Sequence, residues 1–353
     1  MQTWSVEAHA PLRICDLGGW TDTWFAGHGR VVNIGIDPGV LVRVGPGAVA
    51  GAVVIDLVDL GDRVEWRRDR PPGGAHALVE ASVARGLRGF DPGPLQITIE
   101  SAVPPGASMG TSASVSVALL GALHAVVSGG GQPRRSELAA AAHEVETQVL
   151  GQQSGIQDQL CAVHGGVSDI RMHRYPVATV RRLVPSGPLA SALSEGLTVV
   201  YLGRPHDSSV VHEMVIADLE ARGGDAPALT ELREIAADGV AAIEAGDLDG
   251  LTAAMRRNTE AQRWLHPELV SPLADAVIDR ARAAGARGWK VNGAGGDGGS
   301  LTLLSTDRDV RQRVDVAVRA AGPGVKVMSA YLGGGLRVVT RGQPSNISSA
   351  SSG

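Results

Sequence analysis

Residues 104–114 read Pro-Pro-Gly-Ala-Ser-Met-Gly-Thr-Ser-Ala-Ser and run without a break into the apolar stretch 115–127. This junction constrains the chain more than any other segment. A helix must begin there, and its first turn leaves N–H groups without intrahelical acceptors, with roughly half a positive charge added by the helix dipole. Small side chains let a polyphosphate reach those N–H groups, and the hydroxyls of Thr111, Ser112 and Ser114 supply further donors or a metal ligand. Pro105, Gly106, Ala107, Ser108, Gly110, Thr111, Ser112 and Ser114 therefore form a candidate anion site. The alternative is a plain turn followed by a capped helix.

The 353 residues suffice for about two domains, each with its own core. Aromatic residues make up only 3%, so the core rests on Val, Leu, Ile and Ala. The net charge of −5 argues against nucleic-acid and anionic-membrane partners, both of which require a basic surface. A small anionic ligand needs only a few local donors. Cys15 and Cys161 stand in no metal-ligand or redox spacing. The N-terminus lacks a signal-peptide pattern and residues 115–127 are too short to span a bilayer, so a cytoplasmic location is expected.

Residues 4–66 are rich in β-branched residues and punctuated by Asp37-Pro38-Gly39, Gly45-Pro46-Gly47 and Gly61-Asp62, the pattern of several strands. A helix is expected over 75–87 and a half-buried strand over 95–101, where apolar and polar residues alternate. A second long helix should run from Ser136 to Leu150, a short one from Gly155 to Val163, and a hairpin over 165–184. The Pro-, Ser-, Gly- and Ala-rich patch 185–196 marks a domain boundary. Beyond it come a strand at 197–202, helices near 208–222, 227–245, 247–265 and 270–285, and late strands at 300–304 and 336–340. The Ser-rich residues 342–353 read as a disordered tail.

Three further segments carry chemistry. Residues 146–159 hold Glu146 in the last turn of a helix and Asp158 just after a Gly-led turn. Residues 290–299, Lys-Val-Asn-Gly-Ala-Gly-Gly-Asp-Gly-Gly, contain a literal GxGxxG. A strand follows it where a dinucleotide site requires a helix, so Gly293, Gly295 and Gly296 read instead as a tight backbone turn beside a ligand. Residues 10–23, Ala-Pro-Leu-Arg-Ile-Cys-Asp-Leu-Gly-Gly-Trp-Thr-Asp-Thr, place Arg13 in a strand and Asp22 in the turn after Gly18-Gly19. Taken singly, Arg13, Asp22, Glu146 and Asp158 have ordinary structural explanations.

Together and in this order, the four segments resemble the superfamily of galactokinase, homoserine kinase, mevalonate kinase and phosphomevalonate kinase, over nearly the whole chain. The glycine- and serine-rich loop resembles Pro-x-Gly-x-Gly-Leu-Gly-Ser-Ser, with Ser108 at a usual glycine. Residues 154–159 resemble Cys-Gly-Ile-Met-Asp-Gln, and 290–299 resemble Lys-x-x-Gly-Ala-Gly-Gly-Gly-Gly. The first motif resembles Gly-Glu-His-Thr-Asp-Tyr of galactokinases, but Gly19-Trp20 replace Glu-His and remove two polar galactose contacts. Gly-Gly-Trp-Thr-Asp-Thr is closer to fucose and arabinose kinases, and Ala-Pro-Leu-Arg-Ile followed by Gly-Gly-x-Thr-Asp to bacterial heptose 7-phosphate kinases.

The resemblance implies an α+β class in two domains. Residues 1–190 would form a ribosomal-protein-like α/β domain with a left-handed βαβ crossover, and 197–341 a ferredoxin-like domain. It implies ATP and Mg²⁺ as cofactors. Asp158 matches the catalytic carboxylate, Arg13 its companion, and Ser112 and Glu146 the magnesium ligands. Asp22 matches a carboxylate that binds sugar hydroxyls, with Gly19 and Trp20 beside it; the loop from Pro105 to Ser114 and Gly293, Gly295 and Gly296 would lie against the nucleotide. His206 and Ser208 follow the first strand of the second domain and are substrate-side candidates. Arg30, Arg171, Arg174, Arg204 and His206 are the candidates for holding a second phosphate. The expected activity is ATP-dependent phosphorylation of a sugar hydroxyl, the anomeric one of a heptose 7-phosphate or related sugar. Fucose, arabinose or cyclitol kinases and a non-catalytic sugar sensor are the alternatives, and a homodimer is among the open assemblies.

Overall fold

The computed structural model describes residues 4–204 and 209–342. His206 and Ser208, and all of the expected tail except Gly342, lie outside the described residues. In chain order the elements are β1 (Ser5–Leu17), β2 (Gly29–Pro46), β3 (Val53–Leu57), β4 (Asp62–Trp66), α1 (Ala77–Gly86), β5 (Leu95–Ser101), α2 (Thr111–Val127), α3 (Arg135–Glu144), α4 (Gln157–His164), β6 (Val167–Arg174), β7 (Val177–Leu183) and α5 (Gly187–Glu195). The second half adds β8 (Leu197–Tyr201), α6 (Ser209–Arg222), α7 (Pro227–Ala245), α8 (Leu248–Leu265), α9 (Pro272–Ala283), β9 (Gly288–Val291), β10 (Ser300–Leu304), α10 (Arg308–Arg319), β11 (Lys326–Met328), β12 (Tyr331–Leu332) and β13 (Arg337–Arg341).

The larger sheet runs β13-β1-β2-β5-β3-β4. The long β2 splits its partners: Val40–Pro46 pair with β5, while Gly29–Ile34 pair with β6. β3 and β5 run parallel, joined through β4 and α1, and the other ladders of this sheet are antiparallel. Helix α2 packs on β1 and β2 and is flanked by α1, α3 and α4. It contains no Asp, Glu, Lys or Arg, and almost every side is buried. Such all-round apolarity belongs to a helix at the centre of a layer rather than on its surface.

The smaller sheet has the order β11-β8-β10-β9 with antiparallel ladders, the strand order of a split βαβ, ferredoxin-like unit. Its core gathers Val200, Val277, Leu301, Leu303, Val314 and Val318. The mixed sheets and helices give the expected α+β class.

Three local expectations change. The patch 185–196, read from sequence only as a domain boundary, folds as a helix: Pro188 sits in the first turn of α5, and Leu189, Ala192 and Leu193 are buried at helical spacing. The expected helix 136–150 stops being α-helical at Glu144 and continues as a π-turn over Val145–Val149. The late strand β13 pairs with β1, and β12 with β2, so residues 331–341 belong to the first sheet and not to the second.

Candidate active site

The loop before α2 is bent by residues in the left-handed region: Gly106 at φ 73°, Ser108 at φ 56° and Gly110 at φ 67°. Glycine adopts this region freely, whereas serine does so at a cost of roughly 1–2 kcal/mol. The loop's carbonyls are taken up by the protein. Ser300 Oγ donates to Ala107 O at 2.6 Å, Arg13 Nη1 to Ser108 O at 3.2 Å, and the Arg13 backbone N–H to Met109 O at 2.9 Å. The first-turn N–H groups of Thr111, Ser112 and Ala113 have no acceptor inside the helix. The hydroxyls of Ser108 and Thr111 are buried and unbonded. Ser114 departs from the sequence reading: its hydroxyl donates to Pro11 O at 2.7 Å and to Gly110 O at 3.1 Å, so it ties α2 to β1 and is not offered to a ligand.

Arg13 on β1 and Asp158 in the first turn of α4 form a bidentate pair, Nε to Oδ1 at 2.8 Å and Nη2 to Oδ2 at 3.1 Å. Arg13 is buried, and Asp158 keeps 27% of its side chain exposed. Asp158 rests on Gly110, where a Cβ would come within 3.0 Å of its Cγ. The remaining Arg13 nitrogen donates to Asp16 Oδ1 at 3.2 Å. Arg13 is thus fixed on three sides.

Glu146 lies inside the π-turn and is buried. Its Oε2 accepts from Ser154 Oγ at 2.8 Å and from Gln159 Nε2 at 2.7 Å, while Oε1 is buried without a hydrogen-bond partner. Burial pushes its pKa up to about 7; the nearby Asp158 charge adds to this, and the Ser154, Ser112 and Gln159 side chains oppose it. Ser112, exposed at the cleft, is therefore beside this carboxylate. A buried carboxylate oxygen without a hydrogen-bond partner, beside the hydroxyl of Ser112, is an oxygen donor set that fits Mg²⁺. Among the described residues no group of three or more His, Cys, Asp or Glu could cage a metal alone.

Asp22 is buried and caps the start of α4: the Gln157 backbone N–H donates to its Oδ2 at 3.0 Å. Burial pushes its pKa up to about 6, against that hydrogen bond. Trp20 is held at φ 77° and meets His212 edge-on at 5.4 Å. A bulky residue at positive φ is a real outlier and signals a position fixed by its surroundings. Among the described residues, the other two non-glycine residues at positive φ are Cys15 and Ser108.

Two cavities meet at the Arg13–Asp158 pair. The larger, about 550 Å³, is lined by the whole loop from Pro105 to Ser112 and by apolar Leu57, Leu60, Val79, Ile99 and Val103. The smaller, about 180 Å³, is lined by Asp16, Trp20, Asp22, Trp24, Phe25 and Gln157, among others. Arg13, Asp158, His212, Gly293 and Ala294 border both.

Not every residue singled out from the sequence lines this cleft. Gly295 and Gly296 pack against Leu269 and Val270, and a Cβ on Gly295 would stand 2.1 Å from Leu269 O. Gly19 faces Asp16, where a Cβ would stand 2.7 Å from Oδ2. Arg30 and Arg171 both hold the buried Asp169, and Arg204 pairs with Asp297. Sequence reasoning missed Asp16, Ser154, Gln159 and His212.

A family model described as the GHMP kinases N terminal domain matches residues 76–166. The mevalonate kinase of Aeropyrum pernix is 31% identical over 245 residues, covering 66% of this chain and 68% of the relative. The chain belongs to the GHMP kinase family. It is an ATP-dependent phosphotransferase of small molecules. The mevalonate kinase of Pyrococcus horikoshii is 28% identical, covering 69% of this chain and 68% of its own length. In fold, the chain is similar to a D-glycero-D-manno-heptose 1-phosphate kinase from Bacteriodes thetaiotaomicron, with a TM-score of 0.71 at 20% identity, covering 95% and 98% of the two chains. It is also similar to Lactococcus lactis galactokinase complexed with galactose, with a TM-score of 0.73 at 16% identity, covering 94% and 95%. No helix among the described residues is long and apolar enough to cross a membrane.

Proposed function

We propose that this GHMP kinase phosphorylates a sugar, transferring the γ-phosphate of ATP to a ring hydroxyl, the anomeric one, of a heptose or related sugar. The observation that carries the reading is that the two cavities share one carboxylate, Asp158, clamped by Arg13. The larger cavity suits the nucleotide, with apolar walls for a base and the 105–112 loop for phosphates. Magnesium held by Ser112, Glu146 and the phosphates would neutralise charge on the transferring group.

Asp158 accepts the hydrogen of the attacking hydroxyl, and such assistance is typically worth about 10²–10⁴-fold. Arg13 holds that carboxylate through two hydrogen bonds and fixes its plane. On the acceptor side, Asp22 and Asp158 line the smaller cavity, with Trp20, Trp24 and Phe25 as walls. Carboxylates accept from hydroxyls and aromatic faces pack on sugar rings, so a neutral polyol is favoured over an acid.

The curated relatives support a second reading, a mevalonate kinase. A coupled ADP-release assay separates the two, using ATP with L-fucose, L-arabinose, D-galactose, a mannoheptose, its 7-phosphate and mevalonate. A sugar giving the highest kcat/KM supports the proposal, mevalonate giving the highest supports the second reading, and no turnover with any of them supports a non-catalytic sensor.

A further inference from the structure

Two ionisable side chains under the cleft have no part in the reaction as derived. Lys290 on β9 is fully buried, and Asp16 on β1 is 1% exposed. Asp16 Oδ1 accepts from Arg13 Nη1 at 3.2 Å and from the Gly293 backbone N–H at 2.9 Å, and lies 3.5 Å from Lys290 Nζ. Lys290 Nζ also donates to Gln262 Oε1 at 3.0 Å and to the Val291 carbonyl, while Gln262 Nε2 donates to Gly293 O at 2.8 Å. Taking an ammonium out of water costs several kcal/mol even after relaxation, so packing alone does not explain a lysine there. The guanidinium of Arg13 is planar. Whatever fixes Nη1 therefore also fixes the two nitrogens that hold Asp158.

We propose that Lys290 and Asp16 are positioning residues for phosphoryl transfer: the ammonium holds Asp16, Asp16 holds the Arg13 guanidinium, and the guanidinium aims Asp158. The inference rests on the reading of Asp158 as the group that contacts the attacking hydroxyl. Lys290 and Gly293 come from the second half of the chain, and Arg13 and Asp158 from the first. The same contacts therefore register one wall of both cavities against the reacting carboxylate. Misplacement by about 1 Å through a residue remote from the chemistry can cost about 10²-fold in rate.

The test uses the full chain carrying Lys290→Met, Asp16→Asn or Asp158→Asn, each assayed well below its own melting temperature. The acceptor is whichever compound of the six-member panel the wild type turns over fastest, and a fluorescent ATP analogue reports nucleotide affinity. Lys290→Met is expected to lower kcat about 10²-fold, and Asp16→Asn at least about tenfold, with nucleotide Kd and acceptor KM changed by less than about threefold. A kcat within about twofold of wild type in either folded variant overturns the proposal. So does a parallel loss of kcat and binding, which marks a merely structural role. If Lys290→Met does not fold, Asp16→Asn decides. Turnover retained by Asp158→Asn defeats the underlying reading, whereas a dead Asp158→Asn beside a normal Lys290→Met defeats this proposal alone.

Discussion

Replacing Glu146 by Gln should make the ligand-free protein more stable, and increasingly so as pH rises. Burial lifts the Glu146 pKa from 4.5 to about 7. Below pH 4.5 the folded and unfolded chains both carry the proton, and the residue is neutral in the balance. Between 4.5 and 7 the unfolded chain releases the proton while the folded chain keeps it, so stability falls with pH; above about 7 the loss is complete and constant. At 1.36 kcal/mol per pH unit, the full loss is about 3 kcal/mol. An unfolding entropy of roughly 2.1 cal/mol/K per residue over 353 residues converts this to about 4–5 °C. Thermal unfolding of both proteins from pH 5 to 8.5 reads it directly. Because part of the loss is already present at pH 5, the melting-temperature gap between variant and wild type should widen by about 3–4 °C over this range and level off above about pH 7. Mg²⁺ with ATP should raise the wild-type midpoint at pH 8 more than the variant's. A gap that stays constant across the range would refute the placement of this carboxylate in an undersatisfied, dry site.

Other perturbations probe the rest of the cleft. Asp158→Asn should abolish turnover while leaving binding of a fluorescent ATP analogue within about threefold, since the pair with Arg13 shapes the acceptor side. Ser108→Gly should raise stability by about 1 kcal/mol, measured by thermal unfolding, with kcat unchanged, because φ 56° costs serine and not glycine. Gly155→Ala places a Cβ 2.2 Å from Asp22 Oδ2. It should raise acceptor KM at least tenfold while sparing nucleotide affinity; an unaltered acceptor KM would separate Asp22 from the substrate.

The parts of this molecule legible in its sequence are those encoded locally. The small-residue loop, its apolar helix and the alternation in 95–101 each carry their own periodicity or turn chemistry, and the structure follows them closely. Arg13 and Asp158 were found because motif order pairs them across 145 positions. Asp16 could not be read this way. Its partners Lys290 and Gly293 are 274 and 277 positions away, and nothing in Ile-Cys-Asp-Leu marks a carboxylate about to be buried among cations. The π-turn at 145–149 was invisible because the helical pattern continues through it, and only hydrogen bonding distinguishes it from an α-helical turn. Helix α5 was missed: Leu189, Ala192 and Leu193 have helical spacing, but the Pro, Ser and Gly around them read as a domain boundary.

The return of β13 to the first sheet decides how this enzyme can be divided. Val6 and Ala8 face partners contributed from positions 340 and 338, so the ladder beside them is completed from more than 300 residues downstream. A fragment ending after β7 would leave the Ser5–His9 side of β1 as a bare edge open to pairing with other chains. The smaller sheet is accordingly an insertion within the larger unit's chain path, and exchanging it between relatives requires two cuts rather than one.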